Sequence, residues 1–127
     1  MSATGGDFFD FACDCMKLGT EIGYRNAIGR SYYGLYHEVC AAMKNCPPTS
    51  HQGVAEYLQH NAWKGNEPYS KSDLRVLGIV LQQQHSKRKW SDYDLVRNIT
   101  ENDALESIKT VQKMMDKLSD MKKMCCE

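Results

Sequence analysis

The stretch Ala27-Ile28-Gly29-Arg30-Ser31-Tyr32-Tyr33-Gly34-Leu35-Tyr36-His37-Glu38-Val39 decides the fold class. Ala27, Ile28, Ser31, Tyr32, Leu35 and Val39 recur at steps of three and four, and Ala42 and Met43 continue the row. That spacing is one face of an α-helix; a half-buried strand would alternate every second residue. The row predicts a helix starting after Gly23 and running about twenty residues, long for a domain of this size.

Outward from it, the same period recurs. Upstream, Phe8, Phe11, Ala12, Cys15 and Met16 form a first helix with Asp7 near its start and Gly19 near its end. Downstream, Pro47-Pro48 interrupts, and Thr49 with Gln52 reads as a capping box opening a short helix through Val54, Tyr57 and Leu58. Residues 61–69 read as a loop, with Gly65, Asn66 and Pro68 as turn formers and Trp63 out of period. Ser70 with Asp73 caps a fourth helix whose stripe is Leu74, Leu77, Gly78, Leu81, His85 and Arg88. Thr100 with Asp103 opens a last one carrying Ala104, Leu105, Ile108, Val111, Met115, Leu118 and Met121, with lysines toward its end where the macrodipole favours them. No window has strand character. The expectation is an all-α, up-and-down bundle of four to five helices, a single domain over residues 1–127 with 1–6 as a frayed end.

At 127 residues the chain can bury a core without disulfides or metal. Sixteen Lys and Arg against sixteen Asp and Glu give zero formal charge, which excludes a protein that coats nucleic acid or anionic membrane electrostatically. The longest apolar run, residues 76–81, is far short of a membrane span, and the first residues lack the basic and apolar regions of a signal peptide. A cytoplasmic chain with reduced thiols is expected. Its six cysteines contain no C-x-x-C pair, and Cys13, Cys15, Cys125, Cys126 and the scattered His51, His60 and His85 lack the spacing of a structural zinc site. Cys40 reads as a small core hydrophobe and Cys125-Cys126 as an exposed pair. Neither metal nor cofactor is expected.

Chemistry begins where the fourth helix changes character. A stripe that buries Leu74, Leu77 and Leu81 and then presents His85 and Arg88 carries polar groups to one end of the bundle. Lys87, Arg88 and Lys89 gather there, followed by Trp90, Asp92, Tyr93 and Asp94. One reading is structural: cations at a helix C-terminus, with Asp92 in the following loop pairing with Arg88. The other is a phosphate site, in which Arg88 supplies a bidentate fork, Lys87 and Lys89 add charge, and Tyr93 or Trp90 stacks on a base.

Three segments carry a family resemblance. Arg25-Asn-Ala-Ile-Gly-Arg30-Ser-Tyr32-Tyr33-Gly-Leu-Tyr36-His37 resembles the second helix of HEPN domains, Ser50-His51-Gln52-Gly53-Val54 resembles the "Thr-His-x-Gly-Val" segment of small standalone prokaryotic members, and Arg88-Lys-Trp-Ser-Asp92-Tyr93-Asp94-Leu95 resembles their "Arg-x-x-Ala-Asp-Tyr-Asp-Leu" block. The likeness spans residues 7–121, in order and at matching separations.

The resemblance implies a helical bundle, commonly a homodimer, from toxin–antitoxin or phage-defence systems, in which a small nucleotidyltransferase can be the partner. Many members are metal-independent ribonucleases built on an Arg-x4-6-His motif, with His moving protons and Arg stabilising phosphorane charge. Counted from Arg88, that His would fall where Tyr93, Asp94 and Leu95 stand. Arg30 and His37 satisfy the count but lie two turns apart on one helix, about 10 Å along the axis, and belong to the packing motif. The favoured reading is a protein that binds RNA or a nucleotide-bearing partner through Lys87, Arg88, Lys89, Asp92, Tyr93 and Arg30. The alternative is a variant endoribonuclease in which Arg88 holds phosphate and Tyr93, His85 or His37 moves protons. A tyrosine phenol, with an ordinary pKa of about 10, is a poor base at neutral pH.

Overall fold

The computed structural model describes residues 2–125, all of whose regular structure is helical. Five helices form the bundle: α1 (Gly5–Met16), α2 (Glu21–Ala42), α3 (His51–His60), α4 (Lys71–Tyr93) and α5 (Glu101–Cys125), with a π-turn at Ala62–Asn66 after α3. Among the described residues no helix is long and apolar enough to cross a membrane.

α2 is the axle of the molecule and packs against α1, α4 and α5. All eight residues of its sequence-predicted stripe are buried, with Ala27, Ile28, Ser31, Tyr32, Leu35 and Val39 fully so. Contacts at opposite ends fix the directions. Glu38, late in α2, meets the Gly6 amide at the start of α1; Arg25, early in α2, meets the Ser91 carbonyl at the end of α4; Lys122, late in α5, meets Glu38. Thus α1, α2, α4 and α5 alternate. α3 packs antiparallel on α4, with Gln59 against Gln82 and His51 beside His85, so it runs in the sense of α2 and departs from strict alternation. The connection over residues 43–50 makes the return.

One core cluster joins Tyr32, Leu35, Leu58, Leu74, Leu77, Leu81, Val111 and Leu118; a smaller one at the other end joins Cys15, Ala27, Ile28, Ile99 and Ala104. Fully burying each large aliphatic chain is worth about 1.5–3 kcal/mol, so these stripes dominate the stabilisation. α1 and α2 cross backbone to backbone at Gly34, where a Cβ would stand 2.8 Å from the Gly5 carbonyl oxygen.

Several boundaries differ from the sequence reading. α1 starts at Gly5, inside the segment expected to be frayed, because Thr4 and Asp7 form a reciprocal capping box. α2 starts before Gly23, capped by Thr20; Gly23 sits within it because a Cβ would meet the Cys15 carbonyl at 2.6 Å. Ser50, not Thr49, caps α3, accepting from the Gly53 amide at 3.1 Å. In α5 the inward methionine is Met114, with Met115 half-buried. Cys40 is half-buried against the core; Cys125 is half-buried, and Cys126 lies outside the described residues. The largest difference is at α4. It continues through Tyr93, so Asp92 pairs with Arg88 one helical turn away and not from a loop.

Candidate functional site

Arg25 explains the length of α4. It is buried at 6% exposure, and its guanidinium donates to the carbonyls of Ser91 at 2.9 Å, Arg97 at 2.5 Å and Trp90 at 3.5 Å. Helix ends leave carbonyls without intrahelical partners, and a buried cation holding the Ser91 carbonyl in the last turn of α4 and the Arg97 carbonyl in the following loop fixes both that turn and the chain beyond it. Glu21 completes the clamp, 3.8 Å from Arg25 and accepting from the Ile99 amide at 2.7 Å. A cation inside the apolar row of α2 was the available sequence signal for this role.

On the turn so fixed, Arg88 is largely buried, its side chain 18% exposed. Its Nη2 donates to the Tyr33 hydroxyl at 2.7 Å, its guanidinium lies 5.2 Å from the Tyr33 ring centre, and Nε stands 3.0 Å from Asp92 Oδ2. That last contact is an ion pair, since the Nε–H does not point at the carboxylate and makes no directed hydrogen bond. Arg30 approaches the same Tyr33 ring at 5.5 Å. Two guanidiniums thus lie against one phenol ring, and of the two Arg88 is the one paired with a carboxylate, Asp92.

Beside Arg88 an open groove of about 610 Å³ is lined by Ser86, Arg88, Lys89, Trp90, Tyr93 and Asp94. Tyr93 is 72% exposed with the Arg88 guanidinium 5.6 Å from its ring centre, and Arg97 covers Trp90 at 4.4 Å. Lys89 is exposed and Lys87 half-buried. The groove is a surface that can hold phosphate on one side and a flat ring on the other.

Behind Arg88 lies a cluster of imidazoles and phenols. His51, the first residue of α3 after its cap, brings Nδ1 to 2.6 Å from the Tyr32 hydroxyl and stacks on Tyr36 at 4.0 Å. His85 stacks on Tyr32 at 5.3 Å and on His51 at 5.5 Å, the two imidazoles nearly parallel at 11°. Burial, then Arg88 and His37, lowers the pKa of His51; burial, then Lys89, His51 and Arg88, lowers that of His85. Both rings are therefore neutral at pH 7. Burial raises the Tyr32 phenol well above its usual range, with Tyr36 and Tyr33 adding to it, so it keeps its proton.

These shifts carry a stability consequence. The folded chain resists protonation of His51 and His85, so below the ordinary value of 6.5 the unfolded chain takes up more protons and stability falls with pH. We expect Tm to be level above about pH 6.5 and to drop toward pH 5. In a His51→Gln, His85→Gln variant the drop should be smaller. Equal slopes in both proteins would show that the imidazoles do not set it.

Of the residues singled out from sequence, Arg30, Arg88, Asp92 and Tyr93 come together around Tyr33 and the groove, and His85 joins the cluster behind. His37 reaches Tyr33 but does not line the groove: it is exposed and stacks on Phe8 at 5.2 Å and on Tyr33 at 6.4 Å. His51 was not singled out as a site residue, because its partner Tyr32 is nineteen positions away on another helix. Among the described residues no cluster of His, Cys, Asp and Glu could hold a metal ion. Comparison with protein families, curated proteins and solved structures finds no match to the chain.

Proposed function

We propose that this is a cytoplasmic HEPN-like protein of a prokaryotic toxin–antitoxin or phage-defence type system that binds RNA, or a nucleotide-bearing partner, at the Arg88 end of α4. A second copy of the chain and a small nucleotidyltransferase are the protein partners this reading expects. The observation that carries it is Arg88, held against Tyr33 and lining a groove together with Lys89, Trp90 and Tyr93. The absence of an Arg-x4-6-His match from Arg88 onward favours binding over efficient cleavage.

The salt dependence of binding tests this reading. Two phosphate-facing cations, Arg88 and Lys89, on a single strand predict a log–log slope of about −1.4, or roughly a sevenfold loss of affinity between 50 and 200 mM salt. A slope several times steeper would indicate a broad basic surface; no salt dependence would remove phosphate from the account.

A second reading rests on the His51–His85 pair: two neutral imidazoles beside a guanidinium are the parts of a metal-independent endoribonuclease. Incubation with total RNA and with tRNA separates the two. Retention without cleavage supports binding. Cleavage that disappears in a His51→Ala, His85→Ala variant and in Arg88→Ala would establish the nuclease.

A further inference from the structure

Resting on the RNA reading, we propose that the groove beside Arg88 is a slot for one unpaired nucleotide of single-stranded RNA, with its base stacked on Tyr93, its phosphate at Arg88 and Lys89, and its ribose hydroxyl on Asp94.

The groove's volume, about 610 Å³, is within the range of small-ligand sites, yet its open form lets a strand enter and leave. Tyr93 is the most exposed of the groove's aromatics, and packing does not explain it. At 72% exposure it contributes little to the core, and the Arg88 guanidinium lies 5.6 Å from its ring centre. Trp90 on the same turn is half-buried and covered by Arg97. A bare phenol beside two cations is the arrangement that takes a base on the ring and the adjoining phosphate on the charges. Paired bases are already stacked and offer only their edges, so the slot discriminates against duplex.

Asp94 adds the sugar. Its carboxylate is the one acidic group lining the groove; Oδ1 accepts from the Arg97 amide at 3.3 Å, and Oδ2 stands 3.7 Å from Arg97 Nε, half exposed. A carboxylate repels the phosphate but accepts from a hydroxyl, so it orients the strand with the ribose toward Asp94 and the phosphate toward Arg88. Deoxyribose lacks the 2′-hydroxyl donor.

The test is fluorescence anisotropy with labelled oligonucleotides of one sequence as single-stranded RNA, single-stranded DNA and RNA duplex. Wild-type protein should bind the single-stranded RNA at least tenfold more tightly than the duplex, and a few-fold more tightly than the DNA. Tyr93→Ala should lose about tenfold or more, and Tyr93→Phe, which restores a ring, should recover most of that loss. Asp94→Ala should bring the RNA-to-DNA ratio close to one, whatever it does to overall affinity. Equal binding of duplex and single strand, or a Tyr93→Ala protein that binds as wild type while Arg88→Gln does not, would overturn the slot and leave the phosphate reading standing. A ratio near one in wild type would overturn the ribose contact. No binding of any oligonucleotide would remove both proposals.

Discussion

An Arg88→Gln protein will fold as wild type does and lose RNA binding by about a hundredfold. Removing one partner of a buried, hydrogen-bonded charge pair across an interface costs about 2–5 kcal/mol, which corresponds to roughly 30- to several-thousand-fold in affinity. Arg88 is the buried cation of this groove, oriented from two sides by Tyr33 and Asp92, and Lys89, an exposed point charge, cannot replace its fork. Within the free protein the Arg88 to Asp92 pair spans one helical turn with Asp92 partly exposed, so its loss costs stability only about 0.3–1 kcal/mol. Glutamine suits a helix but ends two bonds short of Nη2, so the Tyr33 contact goes with the ion pair while α4 is kept. Circular dichroism and anisotropy on the same preparations separate the two effects. Unchanged affinity with an intact fold would place the phosphate elsewhere.

Arg25→Ala gives the largest loss of stability, about 3 kcal/mol. The Ser91 and Arg97 carbonyls lose their charged donor together, and hydrogen bonds to a charged group are worth about 1.5–3 kcal/mol each without being additive. Arg25→Lys should fall between, because an ammonium cannot reproduce the planar fork that reaches Ser91 and Arg97 together. The check is urea unfolding, read as a lower midpoint with an unchanged slope. Since the clamp positions the turn that carries Arg88 and Tyr93, Arg25→Ala should also weaken RNA binding, although Arg25 itself is enclosed in the protein. Wild-type stability in this variant would mean that the capped carbonyls find other partners.

Short-range chemistry was legible in the sequence, and long-range chemistry was not. The Ser70 and Asp73 cap of α4 and the Thr100 and Asp103 box of α5 form as their spacing predicts, because both partners lie within one turn. The α2 stripe was equally plain, since burial acts on every third or fourth residue. The end of α4 was misplaced because no local signal extends it to Tyr93; the extension depends on Arg25, sixty-six residues upstream of the Ser91 carbonyl it holds. The site divides in the same way. The Arg88 to Asp92 pair was readable, although with Asp92 expected in a loop, whereas the convergence of Arg30 and Arg88 on Tyr33, and the stacking of His51 on Tyr36 and His85, depend on how α2, α3 and α4 pack.

A buried glutamate shows the same limit. Glu67, in the connection read as a loop, is 8% exposed and accepts from the Lys44 amide at 2.6 Å, the Asn45 amide at 2.8 Å and the Tyr57 hydroxyl at 2.6 Å. It ties the end of α2 to α3 at the opposite end of the bundle from Arg25. Two buried charged side chains, each covering backbone groups at a helix end, thus hold the frame that presents the groove.

The most direct measurement of the central claim is a ¹H–¹⁵N NMR titration with a short single-stranded RNA. Binding at the Arg88 groove predicts that the largest shifts fall on the Trp90 indole N–H and on the amides of Lys89, Tyr93 and Asp94, with the Arg88 Nε–H moving in step. Shifts confined instead to the apolar α1–α2 groove around Phe8 and Phe11 would contradict it.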